Sequence, residues 1–284
     1  MNKATRKIER INWLRRHRQY EKIGFKRFQT QIRALCRKIP FDKATEENYT
    51  EVIRDHVNKT KSMYEAVLDL HLSAGRKEYI YQRKKIDAYK KQELKRNPFF
   101  NSELIAMITR FLLETGGTRI ISMNKTLSNY LIKFLSLYLD NNEDATFTKS
   151  VTALLKHFED KDFYRYQIER IVRTETTAAA QRAALEAMDD PDIYIDKVWL
   201  SIDDDRTRDG DKNEIFNHFD MDGIIKKPDE LFEIQKYGGG SEGLLYPGDP
   251  KGSAGNIINC RCGLGRVPRL DANGRPVMKP RKKT

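Results

Sequence analysis

The chain of 284 residues lacks a long apolar run: no stretch approaches the ~18 apolar residues of a membrane-spanning helix. Its three cysteines are too few for a disulfide-stapled mini-protein. Glycine is scarce over most of the length, and 12 of the 16 glycines lie beyond residue 200, which confines turn-rich structure to the last third. The first 39 residues carry charges throughout and offer no apolar core of a secretory signal. The expectation is a protein made and folded in a reducing cytoplasm. Aromatic residues are not lacking: 13 Tyr and 13 Phe supply a packed interior and exclude wholesale disorder.

Charge is plentiful and unevenly placed. The net charge is +12, yet residues 1–40 hold 13 basic against 2 acidic residues, residues 76–97 hold 9 against 3, and residues 261–284 hold 8 against 1. The remaining chain is therefore acidic, with a net charge of −12. Two basic ends and a basic internal stretch on an acidic body fit a polyanionic or acidic partner. Solvated helix faces would give the 76–97 stretch the same composition.

The apolar spacing predicts a helical first half. Trp13, Phe28, Ile32 and Leu35 recur at helical intervals up to Pro40, with Gly24 as an expected break or bend. A second helix is expected from Thr45, and Gly75 is expected to interrupt the next. Asn97-Pro98 reads as a break. Helices follow over 102–113, 127–139, 151–158 and 163–188, with a turn at Gly116-Gly117. After Pro191 the texture changes. Residues 193–200 are β-branched and aromatic and read as a strand. Pro247-Gly248-Asp249-Pro250 suits a type II turn, with proline at its second position and glycine at its third. The tail from Asp271 is expected to be flexible. The fold class is therefore a mainly α N-terminal region with a small α+β C-terminal domain.

Three constellations carry chemistry. In Cys260-Arg261-Cys262 the two thiols face one side of an extended segment, where a disulfide would be strained and one soft metal ion would suit both. His218, the one histidine in the C-terminal region, is the natural third ligand. An Asp from 203–205 is a candidate fourth, and zinc is the metal that this donor set fits. Two small cysteines buried in a core strand would read the same way. Next, Asp203-Asp204-Asp205-Arg206-Thr207-Arg208 with Asp222-Gly223 gives acids beside arginines. These suit either a structural loop or a divalent metal with His218 as base. Finally, Arg173-Thr174-Glu175 lies inside the Ala-rich helix, where an ion pair docking that helix on the C-terminal domain competes with a catalytic Glu175.

In order along the chain, Arg173-Thr174-Glu175, Trp199, Asp205-Arg206-Thr207-Arg208, His218 with Asp222-Gly223, the Phe232 segment, Pro247-Gly248-Asp249 and Cys260-Arg261-Cys262 resemble the head-morphogenesis domain of tailed phages, the Mu F-like minor head proteins. The resemblance covers roughly residues 165–266. One departure is that nine residues separate Arg208 from His218, so a shared site requires 209–217 to loop out.

The resemblance implies a minor head (capsid) protein of the virion, in the head interior or portal region. Such a protein associates in the host cytoplasm with portal and capsid or scaffold proteins during head assembly, genome packaging or ejection. Double-stranded DNA would be bound through phosphates without sequence preference. The implied role is structural rather than enzymatic. The alternative is a metal-dependent nuclease or toxin-like enzyme using Glu175, Asp205 and His218. The expected partition is 1–160 as a helical basic region contacting portal, capsid or DNA, 161–268 as the head-morphogenesis domain, and 269–284 as a basic flexible tail.

Overall fold

The computed structural model describes residues 1–90 and 100–280. Its first two thirds are helical, in α1 (Lys3–Arg37), α2 (Tyr49–Lys59), α3 (Ser62–Tyr89), α4 (Phe100–Thr115), α5 (Gly117–Asn141), α6 (Phe147–His157) and α7 (Arg165–Ala187). Short strands follow: β1 (Ile195–Leu200), β2 (Ile225–Lys226), β3 (Phe232–Gln235), β4 (Ser241–Leu244) and, after the one-turn α8 (Ala254–Ile257), β5 (Gly263–Pro268). Strands β2, β1 and β5 form one antiparallel sheet in that order, and β3 pairs antiparallel with β4. The mainly α region with a small α+β C-terminal part is the fold. No helix among the described residues is long and apolar enough to cross a membrane.

The division into compact units is discontinuous along the chain. One unit joins residues 1–24, 70–109 and 170–284; the other comprises 25–69 and 110–169. The boundaries therefore fall inside α1, α3, α4 and α7, not at residue 160. Hydrophobic contact along long helices ignores sequence distance, so the start of α1 belongs with the C-terminal strands.

Within the first unit, α7 presents a buried face of Ala179, Ala180, Ala183, Ala184 and Ala187. Small side chains let neighbouring backbones come close. Gly24 and Gly75 serve the same end and do not break their helices: a Cβ at Gly24 would stand 2.6 Å from Leu70 Cδ2, and one at Gly75 would stand 3.0 Å from Ile108 Cδ1. Both α1 and α3 run straight through them. The core beyond α7 gathers Trp199, Phe232, Ile234, Leu244, Tyr246, Ile257 and Leu264 around β1, β3 and β5.

Two other expectations are revised. The second helix begins at Tyr49, because residues 45–48 form a turn in which Asn48 Oδ1 accepts the Thr45 N–H. The tail is held: Val277 donates to the Arg269 carbonyl, and Tyr194 and Lys279 exchange backbone bonds with Val277 and Asp192. Residues 281–284, like the Asn97-Pro98 break and the end of the 76–97 basic stretch, lie outside the described residues. Of that stretch, Arg83 and Lys90 turn onto the buried Asp190 at 3.0 and 3.1 Å, so part of its charge is structural.

The second unit is closed by aromatics. The Tyr130 hydroxyl meets His157 Nε2 at 2.7 Å, Phe134 stacks on the His157 ring, and Phe158 and Phe163 pack edge to face. Cys36 is buried there, and burial pushes its thiol up to about 12, leaving it inert.

Candidate metal centre

The loop between α8 and β5 carries Cys260 and Cys262, and its backbone is anchored one carbonyl at a time. Thr177 Oγ1 donates to the Cys260 carbonyl at 2.8 Å, Trp13 Nε1 to the Arg261 carbonyl at 2.8 Å, and Gln181 Nε2 to the Cys262 carbonyl at 3.5 Å. The amides are held too: Asn259 N donates to Thr174 Oγ1 at 3.1 Å and Leu264 N to Gln181 Oε1 at 2.8 Å. Thr174, Thr177 and Gln181 stand at i, i+3 and i+7, one face of a helix. Trp13 reaches the loop because residue 263 is glycine, where a Cβ would lie 2.7 Å from the indole. His17 completes the anchor. Its Nε2 lies 2.8 Å from Thr177 Oγ1, and since that hydroxyl already donates to Cys260, Nε2–H is the donor.

His218 Nδ1 lies 3.7 Å from Cys260 Sγ and 3.8 Å from Cys262 Sγ. The three ligand atoms all fall within 4.8 Å of one another, and all three residues are buried. A chain of bonds fixes the ring. Glu242 Oε1 accepts from Asn256 Nδ2 at 3.2 Å, which turns Asn256 Oδ1 towards His218 Nε2 at 2.6 Å. A carboxylate only accepts, so Asn256 presents its carbonyl oxygen to the imidazole and Nε2 carries the proton. The lone pair is then on Nδ1, facing the sulfurs. The Cys260 thiol is held well below its ordinary range by the hydrogen bond from Cys262, with Arg208 adding to it against the cost of burial. Cys262 is pushed up by the same bond, by burial and by the charge on Cys260. This group can hold a metal ion.

No family model matches the chain, and no solved structure matches it. It is similar to the uncharacterized protein YqbB of Bacillus subtilis (strain 168), 32% identical over 126 residues, which cover 44% of this chain and 38% of that protein. The chain thus spans about two fifths of the length of the curated relative it matches.

The structure brings most of the sequence-selected residues to this loop. His218 and Phe219 N–H both donate to the Arg208 carbonyl at 2.9 Å, while Asp209 and Asn217 bridge. Residues 210–216 therefore loop out, and the Arg-Thr-Arg segment and His218 stand side by side. The Arg208 guanidinium donates to the Ile258 carbonyl. Trp199 packs edge to face on His218, with ring centroids 5.4 Å apart. Arg173 spans Glu21 at 2.7 Å and Asn259 at 3.4 Å. The Asp222 carboxylate accepts the Ser201 N–H and pairs with Arg6 and Arg10, beside Gly223 at φ +83°. Pro247 and Gly248 form the expected turn, closed by the Asp249 N–H on the Tyr246 carbonyl at 3.1 Å with Gly248 at φ +75°. The Asp249 carboxylate then accepts the Leu245 and Lys251 amides.

The acids stay apart from the group. Asp203 pairs with Arg10 at 2.8 Å, and Asp204 pairs with Arg261, whose hydrogen bonds hold its carboxyl down at about 2. Asp205 is exposed. Glu175 is buried against His71 Nε2 at 2.8 Å. Among the described residues, Glu175, Asp205 and His218 form no common cluster, and no Asp joins the three ligands.

Sequence reasoning missed Trp13, His17, Thr177, Gln181, Asn256 and Glu242. It also passed over Lys197, which is buried on β1 with its ammonium donating to the carbonyls of Pro228, Glu230 and Leu245. Burial, against the nearby Asp229 and Glu230, pushes Lys197 down to about 8. The 174/177/181 stripe was visible in the sequence, but its partner lies some eighty residues away.

Burial holds His17 below its ordinary pKa, with Glu21 opposing. A depressed folded value means that the unfolded chain binds the extra proton, so this stability is present above about pH 6.5 and is lost as pH falls through the folded value. Urea unfolding between pH 7.5 and 5 should therefore show stability falling by at most about 1.4 kcal/mol per pH unit from this group. His17→Gln keeps a donor for Thr177 and should flatten that part of the profile; an unaltered profile would show that His17 is not the group being charged.

Proposed function

We propose that this chain is a minor head protein of the tailed-phage head-morphogenesis type, built around a structural zinc ion on His218, Cys260 and Cys262. The observation that carries the reading is convergence. The Arg173-Thr174, Trp199, Arg208, His218 and Cys260-Arg261-Cys262 motifs meet around one anchored loop, as a single module requires and a chance string of short matches does not. The donor set supports zinc: with Zn–S near 2.3 Å and Zn–N near 2.0–2.1 Å, tetrahedral ligands lie about 3.6 Å (N to S) and about 3.8 Å (S to S) apart. The His218 to sulfur distances of 3.7 and 3.8 Å are close to the first of these. Zinc here would tie the loop to the His218 turn.

The basic face fits double-stranded DNA, bound by phosphate without sequence preference. The inward cations of α1 are used in the fold: Arg6 and Arg10 on Asp222, Arg16 on the buried Glu78. Lys3, Lys7, Arg15, Arg18 and Lys22 are exposed, fall within about 120° of helical arc at 100° per residue, and form no ion pair among the described residues. Removing residues 1–40 would also remove Trp13 and His17, so charge reversal is the cleaner test. With all five changed to Glu, DNA affinity should fall and the slope of log K against log salt should flatten by about 4. An unchanged slope would move the DNA contact elsewhere. The reading as a whole is tested in a phage or prophage that encodes the chain: the protein should co-purify with portal in DNA-free procapsids, and its absence from procapsids and particles would overturn the assignment.

A further inference from the structure

A small pocket opens onto the ligand group, lined by Arg206, Arg208 and Arg261 together with His218 and Cys262. Its charge is unbalanced. Arg261 is neutralised by Asp204 at 2.5 Å. Arg208 is spent on a neutral carbonyl, that of Ile258, and neither Arg206 nor Arg208 has a carboxylate partner among the described residues. Asp205, next to Arg206 in the chain, does not line the pocket. A divalent metal ion held by two thiolates and a neutral imidazole adds no net charge, so two guanidinium charges remain. Three protein ligands also leave a tetrahedral ion one position short, and among the described residues no other His, Cys, Asp or Glu joins the group.

We propose that this pocket is a phosphate site. Resting on the zinc reading above, the proposal is that a phosphate group sits between the Arg206 and Arg208 guanidinium groups, with one oxygen at the fourth position of the metal. Guanidinium forks match phosphate oxygens in geometry. A phosphate carrying close to two charges balances the pair, where a carboxylate would leave one over. The phosphate could come free from solution or as the terminal phosphate of a nucleic acid strand.

The test uses the full chain loaded with cobalt(II), whose visible absorption reports its ligands. Inorganic phosphate is titrated in, in parallel with acetate and with a short oligonucleotide carrying or lacking a 5′ phosphate. The expected result is a saturable spectral change with phosphate. In Arg206→Ala the midpoint should rise at least tenfold while the anion-free spectrum stays the same, and Arg206→Lys should recover part of the loss. Arg206 is exposed and holds no part of the fold, so these variants fold. A response to the phosphorylated oligonucleotide but not to its unphosphorylated twin supports a strand end as the source; a response to the free ion alone supports the ion. A spectrum indifferent to phosphate, one that answers only to acetate, or one that answers equally in Arg206→Ala overturns the proposal while leaving the metal centre standing. Failure to take up cobalt overturns the metal reading and this proposal with it.

Discussion

Stripping the metal with a chelator is expected to lower the unfolding temperature by about 10 °C and to release about one zinc ion per chain. The size follows from linkage. A ligand bound only to the folded state, at a free concentration about 1,000 times its dissociation constant, stabilises by about 4 kcal/mol. For a chain of this size each kcal/mol is worth about 2–4 °C. The hydrogen bonds of Thr177, Trp13 and Gln181 hold only the loop's backbone, so without a bound ion its sulfurs meet His218 only through weak contacts at 3.7 and 3.8 Å. Cys260→Ser and Cys262→Ser should each reproduce most of the loss, and adding chelator to either should then do little more. Cys36→Ser changes a buried thiol of the second unit that belongs to no such group among the described residues; it should leave the zinc content unchanged. Differential scanning calorimetry with elemental analysis on the four proteins decides the matter. A metal-free wild type with an unshifted transition would reduce Cys260 and Cys262 to two packed thiols.

The centre was partly legible in the sequence because its ligands are scarce residue types. One histidine and one Cys-x-Cys in the last third leave few ways to combine them, and the extended Cys-x-Cys segment fixes the side on which the sulfurs lie. What holds the ligands was not legible. Asn256 and Glu242 are ordinary polar residues, and only the turn of α8 and the start of β4 bring them behind His218. Gly24 and Gly75 show the same limit in the fold. Glycine weakens a helix alone but lets two helices touch, and which effect wins depends on a neighbour: Leu70 and Val172 against Gly24, Ile108 against Gly75. The cations of α1 divide likewise into inward and outward sets only once the acids of the 203–222 segment lie opposite Arg6 and Arg10.

Trp13 carries the second large effect, because it joins the start of α1 to the loop of Cys260 and Cys262. Trp13→Ala removes a fully buried indole, and large-to-small changes of that kind cost about 3–5 kcal/mol. It also leaves the Arg261 carbonyl without its donor, at a further cost of about 1–3 kcal/mol. The two costs overlap where the cavity admits water to the carbonyl, so about 4 kcal/mol is expected in urea unfolding. Trp13→Phe separates them: the ring still fills the space above Gly263, the N–H is gone, and the loss should fall to about 1–2 kcal/mol. Zinc exchange with a chromogenic chelator gives the readout that ordinary core damage would not. If Trp13 steadies the segment between the two thiolates, Trp13→Phe should release zinc faster than wild type, whereas a substitution of similar cost in the second unit, such as Ile53→Val, should not. Equal release rates in Trp13→Phe and wild type would make Trp13 a core residue only, with the metal loop held from α7 alone.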